Sequence, residues 1–179
     1  MKGARSGALG RLSWVPNGDS QRVAIRDAEL GDHGWVLERH AHLYEDEEGW
    51  GEAFLVLVAR VIAEYLEQHD PQREAAWIAE LDGKRVGAVY CVRNSENAAQ
   101  LRLLFVESSA RGHGAGSSLV EQCIAFARER GYERMVLWTN SSLASARGIY
   151  DAAGFVQTRE EPHPVFPEGT MGQELWLDL

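Results

Sequence analysis

Two cysteines in 179 residues are too few for a disulfide framework or a cysteine-based metal site. Cys91 sits in a strand-like apolar run and Cys123 on the apolar side of a helical repeat, so both read as buried free thiols. The six histidines show no ligand spacing, and no metal is expected. No apolar run reaches membrane-spanning length, so no membrane partner is expected. Residues 1–20 carry Lys2, Arg5 and Arg11 but lack the apolar centre of a secretory leader. A cytoplasmic location is the resulting expectation. Positive charge is also scarce: 18 Lys and Arg stand against 27 Asp and Glu, for a net charge of −9. A nucleic-acid surface draws its affinity from cations that neutralise phosphates, so that class is excluded. The acidic balance suits a cationic partner such as an amine, although solubility alone accounts for it equally well.

What remains is an ordinary globular composition, 45% hydrophobic and 25% charged, at a length suited to one domain. Residues 1–20 are rich in Gly, Ser and Arg and are expected to be a flexible segment, with one short strand at 11–15. The domain proper is expected over 21–179. A strand is predicted at 23–26, then a helix capped by Asp27 with Val36, Leu37, His40, Leu43 and Tyr44 at helical spacing. The acidic run Glu45-Asp46-Glu47-Glu48, closed by Gly49, breaks that pattern, and a second helix follows over 52–68. Runs at 75–81, 85–92 and 100–106, joined by Asp82-Gly83 and by the turn at 94–97, predict an antiparallel meander. A helix, a strand at 135–139, a helix capped by Ser141 or Ser142, and strands at 155–159 and 171–177 complete the chain. The segment 160–170 holds three prolines and reads as loop. The fold class is α/β (α+β): a mixed central sheet of about seven strands with about four helices.

One stretch organises the chain, 101–130. An apolar strand leads into the small-residue loop 107–116, and a helix follows with Leu119, Val120, Cys123, Ile124 and Ala127 on one face. The first turn of a helix has N–H groups without internal partners, and its dipole end is positive. Gly112, Gly114 and Gly116 remove side chains that would hold an anion away, and Arg111 adds a cation. The stretch reads as a pyrophosphate cradle. It is not the Walker loop, because Gly116-Ser117-Ser118 lacks the lysine, and it is not the G-x-G-x-x-G dinucleotide loop, because its glycines alternate.

The order Arg111-Gly112-His113-Gly114-Ala115-Gly116 resembles the R/Q-x-x-G-x-G/A signature of the GNAT acetyltransferase family. Further on, Ile149-Tyr150-Asp151-Ala152-Ala153-Gly154-Phe155 resembles the family's L/I-Y-x-x-x-G-F motif. The predicted element order over 23–179 is similar to the family's fold. Within the family, Glu38-Arg39-His40, Leu43-Tyr44, Gly49-Trp50, the run 101–104 and the run 137–140 look most like the acetyltransferase domains found fused to MarR-type regulators.

The resemblance implies acetyl-CoA as co-substrate, with no metal, and an N-acetyl transfer by direct attack of an amine on the thioester. Leu104, Phe105 and Val106 would offer backbone to the pantetheine, and the Phe105 N–H would stabilise the oxyanion. Arg111, Gly112, His113, Gly114, Ala115, Gly116 and Ser117 would hold the pyrophosphate, although His113 also reads as solvent-facing. Tyr150 would be the acid for the departing thiolate; a phenol near 10 donating to a thiol near 8.5 is a mildly uphill transfer in reference values. The base is sought among His40, Glu45, Glu47 and Glu48, and substrate contacts among these, Tyr44 and Arg102, which suits a carboxylate or a surface ion pair. Many family members carry asparagine seven residues before the tyrosine, where Leu143 stands here. Either Asn140 replaces that contact or the contact is missing. Three functions stay open: acetylation of a small-molecule or amino-acid amine, acetylation of a protein N-terminus or lysine, and a non-catalytic acyl-CoA sensor. Association as a homodimer is allowed.

Overall fold

The computed structural model describes residues 23–163 and 168–179. The expected flexible segment 1–20 and its strand at 11–15 lie outside the described residues, as does part of the proline-containing loop. The elements run β1 (Val23–Asp27), α1 (Leu30–Glu48), α2 (Glu52–Gln68), β2 (Ala75–Leu81), β3 (Lys84–Arg93), β4 (Ala98–Val106), α3 (Ala115–Glu129), β5 (Arg134–Asn140), α4 (Ala144–Ala152), β6 (Val156–Glu161) and β7 (Gly172–Asp178). They form one seven-stranded sheet in the order β1-β2-β3-β4-β5-β7-β6. The expected order of elements and the antiparallel meander β2-β3-β4 are both present. Asp82 and Gly83 turn the first hairpin with φ of 52° and 72°, the left-handed pair that a two-residue hairpin demands.

The sheet has a core on each face. Leu119, Val120, Cys123 and Ala127 of α3 pack on one side with Val89, Cys91, Leu101 and Leu137. Val36 of α1 and Val58 and Ile62 of α2 pack on the other, over Ile78, Ala88, Tyr90 and Phe105. β3 is buried on both faces, which explains its unbroken apolar run from Val86 to Val92. Gly87 is required there, since a Cβ would meet the Phe105 carbonyl oxygen at 2.7 Å.

One break in the sheet positions everything that follows. β4 and β5 pair in parallel only from Ala98–Arg134 to Leu101–Leu137. Beyond that point β5 continues to pair with β7 as far as Asn140, and β4 with β3 as far as Val106, so the two central strands part. The ladder between β3 and β4 shifts register between Ala88 and Tyr90, and opposite the shift Leu103 holds a φ of 52°. A bulge of this kind bends its strand, and a non-glycine residue held there costs about 1–3 kcal/mol.

Four local expectations are corrected. Asp27 ends β1, and Glu29 is the residue before the first turn of α1; the Asp32 carboxylate accepts the Glu29 N–H at 2.8 Å. The acidic run is the last turn of α1, because nothing before Gly49 breaks a helix, and Gly49 closes it at φ 66°. Neither Ser141 nor Ser142 caps α4; its preceding residue is Leu143, and the Asn140 Oδ1 accepts the Ser142 N–H at 2.9 Å. β6 extends to Glu161, two residues beyond 155–159.

Asp32 anchors α1 to the sheet edge. It is 3% exposed and accepts from Arg26 at 2.6 Å and from Arg85 at 3.0 Å. Burial alone would raise its pKa, but Arg26, the Glu29 N–H and Arg85 outweigh that and hold it at about 2. Asp32→Ala should cost about 2–3 kcal/mol in urea unfolding, below the full cost of breaking a buried pair because both arginines keep about a third of their side-chain surface exposed. A loss under about 0.5 kcal/mol would leave the cluster without a structural role.

Candidate active site

Where β4 and β5 part, a two-part cleft crosses the sheet. The larger part, about 310 Å³, holds His40, Tyr44, Arg102, Asn140 and Tyr150. The second, about 240 Å³, runs past Leu104, Phe105 and Val106 to Arg111. Tyr44, Leu104, Leu143 and Ala146 belong to both, so the two form one channel. Arg39 of α1 pairs with Glu107 at the end of β4, its Nη2 donating at 3.0 Å, and fixes α1 along the channel.

Backbone direction decides which amides of β4 face the channel. The Tyr44 hydroxyl donates to the Leu104 carbonyl at 3.4 Å, so that carbonyl points into the gap. The next N–H, on Phe105, lies on the opposite side of the same trans peptide plane. The Phe105 carbonyl abuts Gly87 of β3, and the Glu107 N–H donates to Val86 of β3 at 2.7 Å. Leu104 and Val106 therefore face the gap, and Phe105 turns its polar backbone to β3. This corrects the expectation for Phe105: its amide cannot reach an oxyanion in the channel, and the amide on the correct side is that of Leu104. Sequence could not settle this, because a one-residue bulge reverses the side.

The glycine loop ends where α3 begins. Ser108–Ala110 makes one 3-10 turn, and Gly114 precedes the helix with no side-chain cap on its first N–H groups. Gly112 and Gly114 have φ of 83° and 81°, conformations that favour glycine. Gly116 lies in the first turn of α3 and is buried. A Cβ there would meet the terminal Cδ1 of Ile149 at 2.6 Å, so Gly116 also sits against the side chain of α4. Ala115 is buried under the loop, while Arg111, His113 and Ser117 are exposed along it. His113 keeps its ring near the Arg111 carbonyl at 3.2 Å.

Tyr150 is 4% exposed and reaches the larger part from α4, with Phe155 edge-on at 5.9 Å. Burial raises its pKa well above the ordinary phenol value, with smaller contributions from Tyr44 and Cys123. Among the described residues its hydroxyl has no hydrogen-bond partner. Asn140 is already engaged: it accepts the Ser142 N–H and donates to Thr170 Oγ1 at 3.0 Å, shaping the loop after β5.

The candidate bases separate. Glu45 is exposed and off the cleft, and Glu48 accepts from Ser142 Oγ at 2.6 Å beside the second part. The Glu47 side chain lies outside the described residues. His40 is on the cleft and 2% exposed. Its Nδ1 must donate to the Val36 carbonyl at 2.8 Å, which leaves the lone pair on Nε2. Burial depresses its pKa to about 4, against a smaller raising effect of that carbonyl. Arg102 stands half-buried on the cleft wall, and burial lowers its pKa while Glu64 partly opposes the shift.

Of the aromatic wall only Tyr44 was assigned to the site from sequence; Trp50, Phe54 and Trp138 were not. Tyr44 stacks on Trp50 at 4.8 Å, Phe54 meets Trp50 edge-on at 4.6 Å, and Trp138 meets His163 at 5.5 Å. The readable signal was aromatic density around the α1–α2 junction, since Tyr44, Trp50 and Phe54 fall within eleven residues.

His40 generates a pH test. Its folded pKa is lowered, so the unfolded chain takes up the proton first. That stability is intact above pH 6.5, is lost as pH falls from 6.5 to about 4, and totals on the order of 3 kcal/mol. The urea-unfolding gap between the wild type and His40→Gln should narrow by roughly that amount between pH 7.5 and 4. A constant gap would mean that the folded protein protonates His40 normally.

A match to the Acetyltransferase (GNAT) family model covers residues 36–155. N-acetyltransferase 8B of Homo sapiens is 37% identical over 87 residues, which are 46% of this chain and 38% of that protein. N-acetylaspartate synthetase of Xenopus tropicalis is 34% identical over 92 residues, 51% of this chain and 34% of that protein. The chain thus matches little more than a third of the length of these curated relatives. In fold it is similar to yncA of Salmonella typhimurium, whose structure contains its cofactor acetyl-CoA (TM-score 0.71, 21% identity, 88% of this chain and 94% of that one). It is also similar to a ribosomal-protein-alanine N-acetyltransferase of Brucella melitensis (TM-score 0.70, 23% identity, 87% and 99%). With two thirds of its length matched by the family model and its sheet opened over a glycine loop, the chain belongs to the GNAT acetyltransferase family.

Proposed function

We propose that the protein transfers the acetyl group of acetyl-CoA to the primary amine of a small molecule or amino acid. The observation that carries this reading is the parting of β4 from β5, which leaves the channel side of Leu104 and Val106 without strand partners, beside a glycine loop and a helix start with no side-chain cap. Acetyl-CoA would supply the activated acetyl group. The backbone of Leu104 and Val106 would bind its amide-bearing arm as an added strand would. The first turn of α3 and Arg111 would bind its phosphates. A cleft of about 310 Å³ is of small-molecule size, which favours a small acceptor over a protein segment.

The residues divide the chemistry. The Leu104 N–H would face the carbonyl oxygen as negative charge develops there, the side that geometry denies to Phe105. Tyr150 would hydrogen-bond the departing sulfur. Its burial keeps the phenol protonated at every working pH but makes complete transfer costlier; the same surroundings also destabilise a thiolate, so the two effects partly cancel. His40 is too weak a base to deprotonate an alkylammonium by itself, so its Nε2 serves as an acceptor that orients the amine. The rate should therefore rise with pH until the free amine's own pKa.

The finer resemblance to domains fused to MarR-type regulators, a cytoplasmic location, one domain over 21–179 preceded by a separate segment, and a homodimer belong to this proposal. Support for the first comes from the strings quoted above, chiefly 101–104 and 137–140.

Acetyl-CoA at a hundred times its Kd should stabilise the fold by about 2.7 kcal/mol, seen as a rise in Tm that free acetate does not produce. Tyr150→Phe should keep that rise and lower kcat by about 10² to 10⁴ in single-turnover measurements. An unchanged chemical step would leave Tyr150 with a packing role, and tight acetyl-CoA binding with no turnover of any amine would favour a sensor.

A further inference from the structure

The acceptor part of the cleft has one charged anchor. Among the described residues that line it, Arg102 is the only Arg, Lys, Asp or Glu. It makes none of the ion pairs within 4 Å found among the described residues, and its one polar contact is a weak one, Nη1 to Gln100 Oε1 at 3.4 Å. Glu64 of α2 acts on it only through space. A half-buried guanidinium loses hydration that a side-chain amide does not replace. Its planar fork is suited to two parallel hydrogen bonds from a carboxylate. Around it, Tyr44, Trp50, Phe54, Leu57 and Trp138 make the wall apolar and aromatic.

Position sets the second condition. Arg102 is two residues before Leu104 on β4, no more than roughly 7 Å along the strand. In the proposed reaction Leu104 faces the thioester carbonyl, and Arg102 and His40 line the same part of the cleft, so an acceptor whose carboxylate sits on Arg102 reaches that carbonyl best with its amine only a few bonds from the carboxylate. Polyamines have no carboxylate, and a lysine side chain in a protein has none beside its amine. A second carboxylate, as in aspartate, would sit among aromatic rings with no further Lys or Arg on the described wall.

We propose that the acceptor is an α-amino acid with a single carboxylate and an apolar or aromatic side chain, the carboxylate held by Arg102 and the side chain by the aromatic wall. The inference rests on the acetyl-transfer reading above and narrows it. It separates this chain from what the name N-acetylaspartate synthetase says of its relatives.

The test uses the full chain with acetyl-CoA and four L-amino acids (phenylalanine, leucine, tryptophan, methionine), alongside aspartate, phenethylamine and phenylalaninamide. CoA release gives kcat/KM, and thermal shift gives binding. At least one apolar amino acid should exceed phenethylamine and aspartate by 10-fold or more, the scale of a hydrogen bond to a charged group. Arg102→Gln should lower kcat/KM for the preferred amino acid at least 10-fold more than for phenethylamine, and Arg102→Lys should keep part of the difference. A retained Tm rise with acetyl-CoA checks that each variant is folded. Equal or better turnover of phenethylamine, a preference for aspartate, or an equal loss on all acceptors in Arg102→Gln would overturn the proposal. If acetyl-CoA binds but no amine is acetylated, the transfer reading fails by itself. The carboxylate inference is then decided by thermal shift: a rise with L-phenylalanine that phenethylamine does not give and Arg102→Gln abolishes upholds it, and no such rise overturns it.

Discussion

The structure depends on the interruption of one parallel ladder. β4 and β5 hold together through Leu101 and Leu137 and then follow different neighbours, β3 and β7. Backbone polar groups in the middle of a sheet are normally all paired. Here a row on β4 is left to face a channel, and that row is what an amide-bearing ligand can use. The left-handed Leu103 marks the bend, and the strain there is borne by the strongest part of the fold, with buried strands on one side and packed helices on both faces.

Helix placement then gives the channel its two chemistries. On one side α3 begins at Gly114 with uncapped N–H groups, and Gly116 sits against Ile149 of α4, the chain neighbour of Tyr150 at the gap. On the other side α1 is tied in its first turn, by Asp32 to Arg26 and Arg85, and at its middle, by Arg39 to Glu107. Those two anchors keep His40 and Tyr44 over β4. The desolvation that makes His40 neutral and Tyr150 firmly protonated is a consequence of this closure, not of any charged neighbour.

The scarcity of charge in the acceptor part follows from the same construction. Tyr44, Trp50 and Phe54 pack against one another at the α1–α2 junction, and Trp138 projects from β5. A wall of rings leaves few places where an ion can be solvated, and among the described residues lining this part Arg102 carries the one guanidinium. Of the described acids in the last turn of α1, Glu45 and Asp46 face solvent and Glu48 is engaged by Ser142.

The sequence by itself determined the element order, the hairpin at Asp82-Gly83, the glycine loop before α3 and the motif ending at Phe155. Each is a local matter, set by periodicity, by glycine's access to positive φ, or by a short string of residues. Helix ends were less legible, as at Asp27, Glu48 and Leu143, because caps depend on partners that only the fold supplies, such as Asn140 for the turn before α4. The tertiary structure alone decided that Leu104 rather than Phe105 turns its amide to the channel, and that Gly87 must lack a side chain where the Phe105 carbonyl crosses it. It alone brought Trp50, Phe54, Arg102 and Trp138 to one wall, from the α1–α2 junction, α2 and two strands. A strand's facing reverses with a one-residue bulge, and a cleft wall is assembled from positions far apart in the chain; neither leaves a local mark in the order of residues.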